Sequence, residues 1–279
     1  MRFIITGSKG LIGTEFKKRL EKEGHECVME IDNRLGSNII NINSIELTPS
    51  TQKTDVFLHL ASYCKIKNTI ENPQLAFDNN VKGVYECLEF CRKNDIKKFV
   101  MYSSSRILSE EKNPYTASKM YGEYLCEAYK QCYGIEYIII RPSTVYNGCH
   151  DLTTRLITIW AIKALKGEKL PLNGDENKTL DFTHVDDFVD GIMVLLNNWY
   201  KTKNDAYDIC GEEETKLVDV ARMLGGEVEF FPADKCQPQK VNIDISKIKS
   251  FGYEPKVKLK EGVERLLEFY KGEGRKWLN

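Results

Sequence analysis

Tyr115 and Lys119 stand four residues apart in YTASK, shortly after three consecutive serines, Ser103, Ser104 and Ser105. At that spacing a phenol and an ammonium share one face of a helix. A phenol with pKa near 10 is ionised to only about one part in a thousand at pH 7. Closing that gap of about three units needs roughly 4 kcal/mol. An ammonium about 4 Å away, at an effective dielectric of ~20, supplies energy of that order. Such a pair is suited to proton transfer with a hydroxyl. The spacing alone is weak, because Tyr63 and Lys67 repeat it in SYCKIK. Position separates the two pairs. Tyr115 follows an apolar strand that ends in hydroxyls; Tyr63 does not, and its pair reads as a loop coincidence.

The elements that must position these groups alternate along the chain. RFIIT, HECVMEID, DVFLHLAS, KKFVMYSS and IEYIIIRPS are short apolar runs. Between them lie LIGTEFKKRLEKEG, PQLAFDNNVKGVYECLEFCRKN and PYTASKMYGEYLCEAYKQCYG, with helical apolar spacing. Strand–helix alternation predicts an α/β fold with a Rossmann-type doubly wound parallel sheet. Strand ends in such a sheet open onto the ligand crevice, so the serines and the start of the Tyr115 helix converge there. After residue 150 the rhythm loosens. Helices are expected over LTTRLITIWAIKALKGE and VDDFVDGIMVLLNNWY, and shorter ones near 215–224 and 261–270. Residues 1–150 read as a cofactor domain and 151–279 as a smaller substrate lobe, with some segments returning to the sheet.

Gly7, Gly10 and Gly13 form G-x-x-G-x-x-G between the first strand and first helix. Glycines there let a pyrophosphate approach the backbone, and the helix N-terminus presents free N–H groups to it. Asp32 ends the second strand, 19 residues after Gly13. A carboxylate at that place accepts the ribose hydroxyls of NAD and repels the 2′-phosphate of NADP, although Arg34 follows closely. NAD is the cofactor expected.

With 40 basic and 41 acidic residues the formal net charge is −1. That balance offers no general attraction to nucleic acid or to a membrane surface. No apolar run approaches the ~20 residues of a membrane span, and RFIITG follows Met1 with no leader pattern. The nine cysteines form no C-x-x-C, and only four histidines accompany them, so no metal site is expected. Cysteines used this way suit a reducing cytoplasm.

In order along the chain, TGSKGLIG, DVFLHLAS, NNVKG, YSSSRIL, YTASK, RPSTVYNG, GDENKTLDFTHVDD and YDICGEE resemble the extended short-chain dehydrogenase/reductase family, in its sugar-nucleotide epimerase/dehydratase branch. The resemblance implies Ser105, Tyr115 and Lys119 as catalytic residues. It implies cofactor contacts from Gly7, Gly10, Leu11, Ile12 and Gly13, then Asp32 and Asn33. Further contacts would come from Leu60, Ala61, Ser62, Asn80, Ser103 and Pro142, with Tyr115 and Lys119 shared. Substrate contacts would come from Ser104, Ser105, Tyr146, Asn147, Lys178 and Lys240. Asn80 reads equally well as a buried amide tying helix to loop. His184, Asp186 and Asp187 read as helix-start residues and His59 as structural. Family members often pair through helices equivalent to 74–93 and 115–133, so a homodimer is expected.

The chain departs from the pattern in three places. The family's 4,6-dehydratases carry Asp-Glu after the catalytic hydroxyl, and here Arg106 and Ile107 stand there. The segment from Ser105 to Tyr115 is short. The arginines that usually grip a nucleotide diphosphate are replaced by Leu180 and Gln237, with Lys178 and Lys240 near enough to supply charge with less geometry. The resemblance implies an NAD-dependent epimerase of a nucleotide sugar. A dehydrogenase or reductase of a related sugar or hydroxy compound, and a non-catalytic NAD-binding sensor or scaffold, remain as alternatives.

Overall fold

The computed structural model describes residues 1–146, 155–211, 214–236, 241 and 243–274. Five strands come first: β1 (Arg2–Thr6), β2 (Glu26–Ile31), β3 (Val56–His59), β4 (Lys98–Tyr102) and β5 (Glu136–Pro142). Then β6 (Thr144–Tyr146), β7 (Leu170–Asn173) and β8 (Thr179–His184) leave the main sheet, and β9 (Asp205–Ile209) returns to it. The last two are β10 (Glu214–Lys216) and β11 (Val228–Phe231). The main sheet has the order β2-β1-β3-β4-β5-β9 and is parallel throughout. Its first five strands are those expected from the sequence. The sixth, β9, ends inside YDICGEE, where no strand is expected.

Parallel strands are covered on both faces, which is why they read as unbroken apolar runs. One face packs on α1 (Leu11–Lys22), with Phe16 and Leu20 against Phe3 and Ile5. The other packs on α2 (Lys82–Lys93) and α3 (Pro114–Tyr133), with Val84, Leu88 and Cys126 against Ile4, Phe57 and Phe99. The single helix expected over 73–94 widens into a π turn at Phe77–Val81 before α2. Such widening is frequent where a helix serves a site, and it sets Asn79 at the cleft described below while Asn80 turns inward.

The start of α3 is tightly built. The Asn113 side-chain oxygen accepts the Thr116 N–H, the Thr116 hydroxyl accepts the Asn113 N–H, both at 3.0 Å, and Pro114 occupies the first turn. This reciprocal cap fixes the turn that carries Tyr115. The second lobe has its own core. Helices α4 (Leu156–Leu165), α6 (Leu217–Met223) and α7 (Leu259–Lys271) enclose Trp160, Phe182, Val220 and Leu266. Between α4 and α6, helix α5 (Val185–Asn197) runs back to the main sheet and packs beside α1. Two small sheets, β10-β8-β6 and β11-β7, complete the lobe. Among the described residues no helix is long and apolar enough to cross a membrane.

Candidate active site

The C-terminal ends of β1 to β4 open on a cleft of about 420 Å³, where the chain order reverses between β1 and β3. Open parallel sheets bind ligands at such a reversal. Gly7 has φ +71°, and a Cβ there would lie 2.9 Å from the Ala61 amide nitrogen. A Cβ at Gly13 would lie 2.8 Å from Ser8 Cα and closer still to the Gly7 carbonyl oxygen. The turn is therefore clamped between the β3 loop and α1, with no room for side chains. Gly10 caps α1 without a side-chain acceptor, and Leu11, Ile12 and Gly13 line the cleft. Their first-turn N–H groups make the helix end an anion site.

Asp32 stands at the end of β2. Its carboxylate accepts the Lys9 N–H at 2.9 Å and the Arg34 N–H at 3.0 Å, one on each oxygen. Each oxygen retains lone-pair capacity for a ribose hydroxyl. Asn33, Leu60, Ala61 and Ser62 line the same cleft. The Arg34 guanidinium, also there, donates to the Lys9 carbonyl. A helix end, a glycine cradle and a carboxylate in this order fit an adenine dinucleotide.

Tyr115 and Lys119 are 5% and 3% exposed. The Lys119 ammonium donates to the Tyr102 carbonyl at 2.9 Å and stands 5.8 Å from the Tyr115 ring centroid. Burial lowers its pKa to about 8, against the opposing pull of Cys64 and Glu123. It therefore remains mostly charged at pH 7. Burial pushes the Tyr115 phenol well above its ordinary value, and Tyr102 and Cys64 add to the rise. A hydrogen bond with Ser104 and the charge of Arg106 oppose it. Sequence reasoning assigned the lowering charge to Lys119; Arg106 supplies such a charge as well, and the Lys119 ammonium is held at the Tyr102 carbonyl.

Of the three serines, Ser104 is the one near enough to the phenol to hold its pKa down. Ser105 begins the 3-10 turn Ser105–Leu108 and lines a second, small cleft with Arg106, Ser143 and Leu180. Ser103, expected at the cofactor, is fully buried. Its hydroxyl bonds the Glu123 carboxylate, which also takes both arms of the Arg141 fork. Asn80 is likewise spent inside the protein. Its amide donates to Tyr63 O and Ser118 Oγ, and its oxygen accepts from Ser62 Oγ and Tyr63 N–H. That is the tie between helix and loop, and it holds the loop after β3 over the cleft. Pro142 is buried at the end of β5 and does not line the cleft.

Among the expected substrate residues, Tyr146 is 1% exposed and stacks edge-on against Phe182 and His184. It belongs to the lobe core. Lys178 is buried, donates to Asn173 O at 2.6 Å, and has its pKa lowered by burial. Asn147, Lys240 and the Gln237 position lie outside the described residues. Sequence reading missed Tyr63, Cys64 and Tyr102 at the cleft, although a loop leaving β3 at the reversal was the signal available. It also missed Arg155, which reaches the cleft from the second lobe and has nothing in its local sequence to mark it.

Residues 3–210 match the model of the NAD dependent epimerase/dehydratase family. A putative UDP-glucose 4-epimerase of Methanocaldococcus jannaschii is 30% identical, over 98% of this chain and 99% of its own. A UDP-glucuronic acid 4-epimerase of Bacillus cereus, solved with UDP-glucuronic acid and NAD, superposes with a TM-score of 0.85 at 25% identity, over 97% of this chain and 99% of that one. A UDP-glucose 4-epimerase of Thermotoga maritima, solved with UDP-glucose, shares the fold with a TM-score of 0.84 at 23% identity over 100% of both chains. By these matches this chain belongs to the NAD-dependent epimerase/dehydratase family, enzymes of the extended short-chain dehydrogenase/reductase type.

Proposed function

We propose that the protein is an NAD-dependent epimerase of a sugar nucleotide, working through transient oxidation of a sugar hydroxyl to a ketone. One constellation carries the reading. The buried Tyr115 phenol lies near Ser104, and the Lys119 ammonium lies over the same ring and donates to the carbonyl of Tyr102, a residue of the dinucleotide cleft. Relatives and structural neighbours that act on UDP-glucose and UDP-glucuronic acid support the substrate class. On this reading residues 1–150 hold the cofactor and residues 151–279 supply most of the sugar pocket.

NAD, held by the glycine turn and Asp32, would supply the hydride acceptor and donor. The Tyr115 phenolate would take the proton of the sugar hydroxyl on oxidation to the ketone and give it back on reduction. Ser104 orients the reacting oxygen, and Lys119 and Arg106 offset the phenolate charge. With burial holding the phenol protonated in the free protein, these charges decide when it acts as a base. Arg106 and Ile107 leave no extra acid after the serines, so elimination of water is not part of the proposal.

The test begins with denaturing release and mass analysis of small molecules from the purified protein. Incubation with UDP-glucose or UDP-glucuronic acid, followed by proton NMR, then looks for the C4 epimer. Wild type should retain NAD and form epimer. Tyr115→Phe should keep NAD and lose turnover by about 10²–10⁴-fold. NADH accumulating in step with product would replace the epimerase by a dehydrogenase. Unchanged turnover in Tyr115→Phe would remove the base.

A further inference from the structure

Arg106 stands apart from the other arginines. Each of the others among the described residues has a hydrogen-bonded or ion-paired acceptor. Arg2 donates to Ser50 O, Arg34 to Lys9 O and Arg155 to Val145 O. Arg19, Arg92, Arg141, Arg222 and Arg265 hold carboxylates. Among the described residues the Arg106 guanidinium has none, although it is half-buried and burial lowers its pKa. Desolvating a charge without an acceptor is costly. Its backbone is the opposite case. The Arg106 N–H donates to Ser104 Oγ at 3.2 Å, and Ser104 lies near the Tyr115 phenol. The guanidinium is thus tethered within one side chain's reach of the reacting oxygen.

Arg106 lines the small cleft with Ser105, Ser143, Thr144 and Leu180. Buried Lys178 lies near enough to be destabilised by its charge. Leu180 occupies a place where the family pattern has an arginine, and Arg106 lines the same cleft. The acids near this pair of cations are Asp181 and Glu214, which line the cleft, and Asp234, which acts on Lys178. None of them hydrogen-bonds the guanidinium.

We infer that Arg106 is a specificity-determining residue whose guanidinium takes an anionic pair of oxygens on the substrate, beside the carbon that is oxidised. This rests on the sugar-nucleotide reading above. The anion is a carboxylate on the sugar or the phosphoryl group next to it, and a planar fork suits either in bidentate fashion.

Titration calorimetry on the NAD-supplied protein tests it, with UDP, UDP-glucose, UDP-glucuronic acid, free glucuronate and inorganic pyrophosphate as probes. Arg106→Gln should weaken the ligands that carry the anion by roughly 10–100-fold, the loss of a charged hydrogen bond. Arg106→Lys, which keeps the charge and loses the fork, should weaken them less, and it carries the comparison if the glutamine variant does not fold. Selective loss of UDP-glucuronic acid assigns a sugar carboxylate. Equal loss for all three nucleotides assigns a phosphoryl group. Wild-type affinity for every probe in both variants overturns the inference, as does a wild type that binds none. If wild type binds glucuronate or pyrophosphate through Arg106 but no nucleotide, the anion site stands and the sugar-nucleotide reading falls.

Discussion

Gly13→Ala gives the sharpest test of the dinucleotide cleft. Its Cβ would lie 2.8 Å from Ser8 Cα and closer still to the Gly7 carbonyl oxygen. Ordinary contact between such atoms is about 3.5–4.0 Å. The glycine turn and the start of α1 must therefore separate by roughly 1 Å. Both neighbours are backbone, so no side chain can swing aside to absorb the strain. Overpacking of this kind costs about 1–3 kcal/mol of stability. The same movement draws the first-turn N–H groups away from a pyrophosphate. Loss of even one charge-assisted bond, at about 1.5–3 kcal/mol, weakens binding roughly 10–100-fold. Gly10→Ala is the control, because its Cβ would meet the Gly7 oxygen at 3.1 Å, a contact that a small adjustment relieves. Bound NAD after purification, calorimetric affinity for NAD and the denaturation midpoint should all rank wild type, then Gly10→Ala, then Gly13→Ala. A Gly13→Ala protein that binds NAD within about threefold of wild type, at unchanged stability, would refute the claim that this close approach builds the anion site.

Two further predictions concern the scaffold. His59 is buried against Thr6, and burial, with a smaller push from Lys119, lowers its pKa to about 3 from 6.5. The unfolded chain takes up the proton first, so stability is lost as pH falls below 6.5, at roughly 1.4 kcal/mol per unit. Guanidinium denaturation at pH 6.5 and 4.5 should show His59→Gln spared about 2–3 kcal/mol of the acid loss seen in wild type; equal losses would contradict the assignment. Separately, Phe77, Tyr85, Tyr121 and Tyr124 are 54%, 43%, 40% and 66% exposed on the neighbouring 74–93 and 114–133 segments. We propose a homodimer through this face, which sedimentation should detect and Tyr124→Glu should weaken; a wild-type monomer at micromolar concentration would exclude it.

The parallel sheet was legible in the sequence because its strands are buried on both faces and its helices keep one apolar stripe. Those are local patterns. Strand β9 was harder to read. DAYDI alternates buried and partly exposed positions at the sheet edge, and its partner β5 lies more than sixty residues earlier. Only the return of the chain from the second lobe reveals it. The glycine turn was legible for a related reason: Gly7, with φ +71°, and Gly13 sit where the backbone leaves no room for a side chain, and Asp32 ends the very next strand. Ser103 was not, and Asn80 stayed open between two readings, because both are polar residues near the cleft whose partners, Glu123, Ser118 and Tyr63, lie elsewhere in the chain.

The serine run shows where reading by position fails on physical grounds. In an extended strand, successive side chains alternate faces, so Ser103 and Ser105 would share a face and Ser104 would oppose them. β4 ends at Tyr102, however, and the 3-10 turn begins at Ser105. The run therefore spans a change of backbone geometry, and alternation no longer applies. Ser103 faces α3 through Glu123, Ser104 lies near the phenol, and Ser105 passes to the smaller cleft. On the proposal that Ser104 is the reacting hydroxyl, the two-residue step of the turn links it to the Arg106 N–H. On that same proposal, the residue standing where dehydratases carry an acid is a cation tied to the reacting group. A departure from a family pattern can therefore mark a relocated charge as well as a lost function, and the backbone after β4 distinguishes the two.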